Sequence, residues 1–178
     1  MGENELLALV RATIMAELPG VDVRQMQNPV TVGVPSPPTI FMQTIIPARR
    51  VGWVGRRDIV GAPDANMVHQ EIQWLETTLQ ISALARRDPA DPMYLNQPSA
   101  ADLCRSAADI LQGDRGLAQL AGGRVRPLRI TEVRTVYFVN DSDQYEANPS
   151  FDVVLSHVQI REGETAPVSE FSGQAGRV

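Results

Sequence analysis

Apolar residues recur every four positions at the start of the chain, at Leu6, Val10, Ile14 and Leu18 with Leu7 beside them. That period predicts an amphipathic helix from Glu3 to Leu18, stopped by Pro19-Gly20. The pattern then breaks. Pro29, Pro35, Pro37 and Pro38 crowd the approach to Thr39, and because each proline fixes φ and removes a donor, this stretch is expected to be extended and unpaired. Thr39 to Ile46 is apolar and β-branched at both parities, the pattern of a strand covered on both faces, which Pro47 is expected to close. From Glu71 to Leu84, Leu75, Thr77, Leu79, Ile81 and Ala83 alternate with Glu76, Thr78, Gln80 and Ser82. This is a half-buried strand, longer than the usual 5–6 residues or so, and able to project beyond its own core. Between the two strands, "ARRVGWVGRRDIVGAPDAN" is rich in Gly, Arg and turn residues and predicts a hairpin with a long, mobile loop.

A second helix should begin after Ser99, whose hydroxyl can cap the free N–H groups with Asp102 at the third helical position; Leu103, Ala107, Ile110 and Leu111 follow at helical spacing. Gly113 or the Gly122-Gly123 pair should end it. Two more strands are expected, Leu128 to Val139 and Phe151 to Ile160, joined by the polar turn "NDSDQYEANPS". The order helix, hairpin, helix, hairpin predicts an α+β fold: an antiparallel β-sheet with long hairpin strands, covered by an N-terminal and a middle helix. One domain should span residues 1–161. The small, polar, aperiodic remainder, 162–178, reads as a flexible C-terminal tail.

Composition narrows the classes of function. At 178 residues, 43% hydrophobic and 21% charged, the chain is the size of one ordinary globular domain. Its formal charge of −5 argues against a general nucleic-acid binder, which needs a basic face to displace counterions from phosphates. No apolar run approaches the roughly 20 residues that span a bilayer, and the acidic "MGENELLALVRATI" is unlike a signal peptide, so a chain made in the cytoplasm is expected. A single cysteine, Cys104, excludes an internal disulfide and a multi-cysteine metal site.

The search for chemistry returns little. His69 and His157 are the only histidines, and neither has a Cys, Asp or Glu at metal-ligand spacing, so structural roles are expected. Cys104 falls on the apolar pattern of the second helix, as a buried small hydrophobe would. Asp141 and Asp143 imitate the start of a calcium loop but lack its glycine and terminal Glu. No acid, base and nucleophile come together, so no catalytic residue, cofactor or metal is expected, and the chain is read as a non-enzyme. The arginine pairs Arg49-Arg50, Arg56-Arg57 and Arg86-Arg87 are either solvated charge or an interface that meets carboxylates on a neighbouring chain. Trp74 is expected to be partly core. Trp53, flanked by glycines, is the better anchor for a partner.

Four motifs occur in order: "RQMQNP" after the first helix, the proline-containing approach to "TIFMQTIIPARRVG", "HQEIQWLETTLQISAL", and "RPLRITEVRTVYFVNDSDQYE" leading into the last strand. Together they resemble the bacteriophage neck or tail terminator family over about Glu5 to Ile160. The resemblance implies a virion protein at the tail–neck junction, assembled with itself as a ring, commonly a hexamer. Such a ring caps the head-proximal end of the tail tube, stops tube growth and joins the tail to the neck or connector protein. DNA would be only cargo passing through the lumen. On this reading the subunit or tube interface falls to Arg49, Arg50, Trp53, Arg56 and Arg57, to Gln27 and Asn28 at the head of the proline-rich segment, and to Tyr145. The alternatives are another neck ring, such as a head-completion or connector protein, or a small non-viral binding module or enzyme.

Overall fold

The computed structural model describes residues 1–26, 37–59, 67–85, 90–93, 96–139 and 145–165. The elements run α1 (Glu3–Glu17), β1 (Asp22–Gln25), β2 (Thr39–Ile59), β3 (Met67–Leu84), α2 (Ala100–Gln112), α3 (Asp114–Gly122), β4 (Val125–Ile130), β5 (Arg134–Val139) and β6 (Tyr145–Thr165). The fold is α+β, as expected. The sheet order is β1-β2-β3-β6-β4, with β5 also paired to β6. Every pair is antiparallel except β1 with β2, which is parallel. The sheet is therefore mixed rather than purely antiparallel. A four-residue strand, DVRQ, carries too little pattern to be told from a loop by its sequence.

The helices form where their local chemistry allows. Glu5 accepts a hydrogen bond from the Gly2 N–H at 2.8 Å, closing the first turn of α1. Ser99 and Asp102 cap α2 reciprocally: the Asp102 N–H donates to Ser99 Oγ at 3.1 Å and the Ser99 N–H to Asp102 Oδ2 at 3.0 Å. Gly113 then adopts an extended conformation, and the chain turns at once into α3 instead of stopping. That turn brings α3 back against α2 so closely that a Cβ on Gly116 would collide with the Ile110 carbonyl. Among the described residues three helices, not two, thus cover the sheet.

One cluster forms the core. Leu6, Val10 and Ile14 of α1 and Leu103, Ala107 and Leu111 of α2 pack on Ile40, Met42, Leu79, Ile81, Phe151, Val153 and Leu155 of the sheet. Cys104 belongs to it, fully buried, with its thiol donating to the Pro149 carbonyl at 3.2 Å. Burial pushes that thiol up to about 12, so it remains protonated and unreactive at neutral pH.

Two expected boundaries shift for local reasons. The stretch expected as one strand from Leu128 to Val139 is split at Thr131, whose backbone N–H donates to the Asp152 carbonyl while its hydroxyl accepts the Asp152 N–H. β4 and β5 therefore line successive lengths of β6. β6 itself runs from Tyr145 to Thr165, past both expected ends of that strand, Phe151 and Ile160.

Candidate functional site: an amphipathic arm

β2, β3 and β6 are 21, 18 and 21 residues long, about three to four times an ordinary strand. Only one end of each belongs to the body. In β2 burial is confined to Thr39–Met42; Ile45 and Ile46 are already exposed, so this strand is not covered on both faces throughout. Beyond about Leu75 the three strands continue together as an arm with no helix beneath it among the described residues, and Val51, Val54, Ile59, Met67 and Trp74 are exposed there. The projection expected of the Glu71 to Leu84 strand is thus present, and β2 supplies its partner.

Pro47 does not end β2. A proline cannot donate to a ladder and is tolerated at a bulge or on an edge strand, and here the register slips between Ile46 and Arg49. Arg49 to Ile59, expected as loop, is strand paired to Val68–Glu76. The glycines that suggest a loop instead serve a further irregularity between Val51 and Gly55, where Gly52 takes φ +71°, a left-handed conformation that favours glycine. That irregularity leaves Trp53 96% exposed.

Rows of directly opposed residues show what the arm presents. In the body, the helix-facing residues of β3 (Thr77, Leu79, Ile81, Ala83) are buried and apolar apart from Thr77, while the other face carries Thr78, Gln80 and Ser82. In the arm the polarity inverts. The continuation of the helix-facing side holds Arg50, Arg56, Asp58, His69, Glu71, Gln73, Gln159 and Arg161. The opposite side holds the rows Val51, Trp74 and Val158, then Gly55, Ile72 and Ile160. A polar row, Arg57, Gln70 and Glu162, follows, and further out Glu164 shares a row with Ile59 and Val68. Trp74 is half exposed at 49%, not partly core as its aromatic character suggests. It sits past the point where the sheet changes which face is apolar.

Cross-strand polar pairs brace the arm. Arg49 bonds Glu76, Arg56 lies 3.8 Å from Glu71, His69 Nδ1 is 2.7 Å from Asp58, and Gln70 donates to Glu162 at 2.6 Å. Each joins directly opposed residues, the positions at which side chains stabilise a sheet. These exposed pairs hold alignment more than they add stability.

His157 marks the root of the arm. It is buried, 3.0 Å from the Thr77 hydroxyl through Nε2, while its Nδ1 has no partner among the described residues. Burial, with a smaller contribution from the N-terminal ammonium, lowers its pKa below the usual 6.5. That ammonium is anchored next door, donating to the Val158 carbonyl at 3.1 Å. Because the unfolded chain takes up this proton more readily than the folded one, stability is full above pH 6.5 and falls as pH drops below it. The decline is limited to about 1.4 kcal/mol per pH unit. Thermal midpoints measured from about pH 7.5 to 5 should fall for the wild type and fall less for His157→Gln; equal slopes would show that His157 carries no pH dependence.

Of the interface residues expected from sequence, Arg49, Arg50, Trp53, Arg56 and Arg57 are brought together on the arm. Tyr145 opens β6 opposite Val139, on the β5 side of the body and away from the arm. Gln27, Asn28, Arg86, Arg87, Asp141 and Asp143 lie outside the described residues, as do most of the proline-rich approach and the chain beyond Thr165. Sequence reasoning misses the apolar row partners Ile72, Val158 and Ile160, although the parity change from Leu75 to Trp74 and Ile72 is legible once the three strands are known to align. Among the described residues no group of three or more His, Cys, Asp or Glu is arranged to hold a metal, and no helix is long and apolar enough to cross a membrane.

Residues 5–167 match the family model described as E217 gateway protein gp29. The chain belongs to that gateway family. Membership makes it a structural protein of the bacteriophage neck, a virion component at the head–tail junction. The resemblance to neck proteins read from the four motifs is borne out at this level; the gateway description does not extend to a tail terminator. No curated protein matches the chain.

Proposed function

We propose that this gateway-family chain assembles as a ring, on the pattern of a hexamer, that caps the head-proximal end of the tail tube, ends tube polymerisation and joins the tail to the connector. The observation that supports it most is the inversion of polarity along the sheet. An apolar face displayed on a projecting ribbon is unfavourable in water and becomes favourable when another protein surface covers it. Charged residues on the other face, of both signs, suit a wall past which DNA moves without being gripped. The partners on this reading are other copies of the chain, the tail tube protein and the connector.

The test is an infection in which this gene product is missing. Tails of uncontrolled length, together with heads that carry no tail, are the expected outcome by electron microscopy. Tails of normal length alongside heads that lose their DNA would overturn the capping role and favour the head-completion or connector reading.

A further inference from the structure

We infer that neighbouring copies join by pairing the outer edge of β2 in one arm with the outer edge of β6 in the next, so that the arms form one continuous sheet around the ring. This rests on the ring reading above and names its seam. Among the described residues, β1 reaches β2 only at Thr39–Met42, and β4 and β5 reach β6 only as far as His157. Beyond those points both strands pair with β3 alone. Among the described residues the arm is therefore a three-stranded ribbon, and past Val158, whose carbonyl the N-terminal ammonium takes, no further strand pairs with either side of it. An open edge of this length is a template for another strand.

The two edges are different surfaces on opposite sides of one ribbon, so a contact between them is head-to-tail, which is the geometry that closes into a ring. Their charges favour that contact. From Arg49 to Ile59 the β2 edge carries four arginines against one acid, Asp58, whereas from Gln159 to Thr165 the β6 edge carries two glutamates against one arginine, Arg161. Each edge attracts the opposite edge of a neighbour and repels its own kind. A second copy of this chain supplies the matching edge, with complementary charge.

The direction of the seam also follows. β2 and β6 are each antiparallel to β3, hence parallel to one another. Rotation about a ring axis preserves the sense of every strand along that axis, so the seam is a parallel pair inside a sheet whose other arm pairs are antiparallel. Trp53, thrust out at the irregularity in β2 and 96% exposed, then lies at the seam as an anchor of the kind that dominates interfaces.

Charge reversal tests this without touching the body. One variant carries Arg50→Glu and Arg57→Glu, a second Glu162→Arg and Glu164→Arg, and a third all four changes. Ring formation is followed by analytical ultracentrifugation at low salt, with thermal midpoints confirming that each variant is folded. Each two-residue variant should need about tenfold more protein to form rings, or worse, and the four-residue variant should recover. Wild-type rings with both two-residue variants unaffected, or with no recovery in the third, would overturn the seam and leave the ring standing. A wild type that forms no ring, alone or on tube ends, would overturn the ring reading and the seam with it.

Discussion

Ile72→Ser combined with Trp74→Ser should leave a folded protein that no longer assembles. Both residues lie on the apolar face of the arm, in successive rows with Val51 and Val158 and with Ile160. Trp74 is 49% exposed and neither residue belongs to the central core, so the pair should cost folding no more than about 1–3 kcal/mol. Assembly should respond far more strongly. Central interface anchors, tryptophan above all, contribute about 2 kcal/mol or more each, so two together should weaken assembly on the order of a thousandfold. Sedimentation should show a monomer under conditions where the wild type, on the proposed reading, forms a ring. Rings persisting at unchanged concentration would mean that this face stays in water.

The opposite result is expected of Phe151→Ala. Phe151 is fully buried on β6, opposite Ile81 of β3, in the cluster that joins the sheet to α1 and α2. Truncating a buried phenylalanine costs about 3–5 kcal/mol, through lost transfer free energy and the cavity left behind. For a domain of this size the thermal midpoint should fall by roughly 6–20 °C. At temperatures where the variant remains folded, its arm is unaltered and its ring should still close. A midpoint unchanged from wild type would show that the cluster relaxes around the gap, contrary to the packing described. The two variants together would separate the body, which folds, from the arm, through which assembly is proposed to run.

How far the sequence reveals this division depends on the range of each signal. The first helix, the Ser99 cap with Asp102, and the alternating strand through Leu75, Thr77, Leu79, Ile81 and Ala83 are written locally, within a short length of chain, and the structure agrees with them. The glycine-rich stretch from Arg49 to Ile59 misleads because Gly, Pro and Arg also mark loops. Whether such a stretch is strand depends on the ladder it joins, and its partners at Val68–Glu76 and, through β3, at Ser156–Glu164 lie far away in the chain. Trp74 misleads for the same reason. Its aromatic character speaks for burial, but which face is covered changes along the strand, and only the ends of the helices decide where. The arginines of β2 are exposed, as charge without a buried partner must be, and no distant residue is needed to recognise that.

The most direct test of the account is electron microscopy of the purified protein, alone and mixed with tail tubes. Closed rings of one size, with one ring seated at a single end of each tube, are the predicted result. A monomer at every concentration, still absent from tube ends, would contradict it.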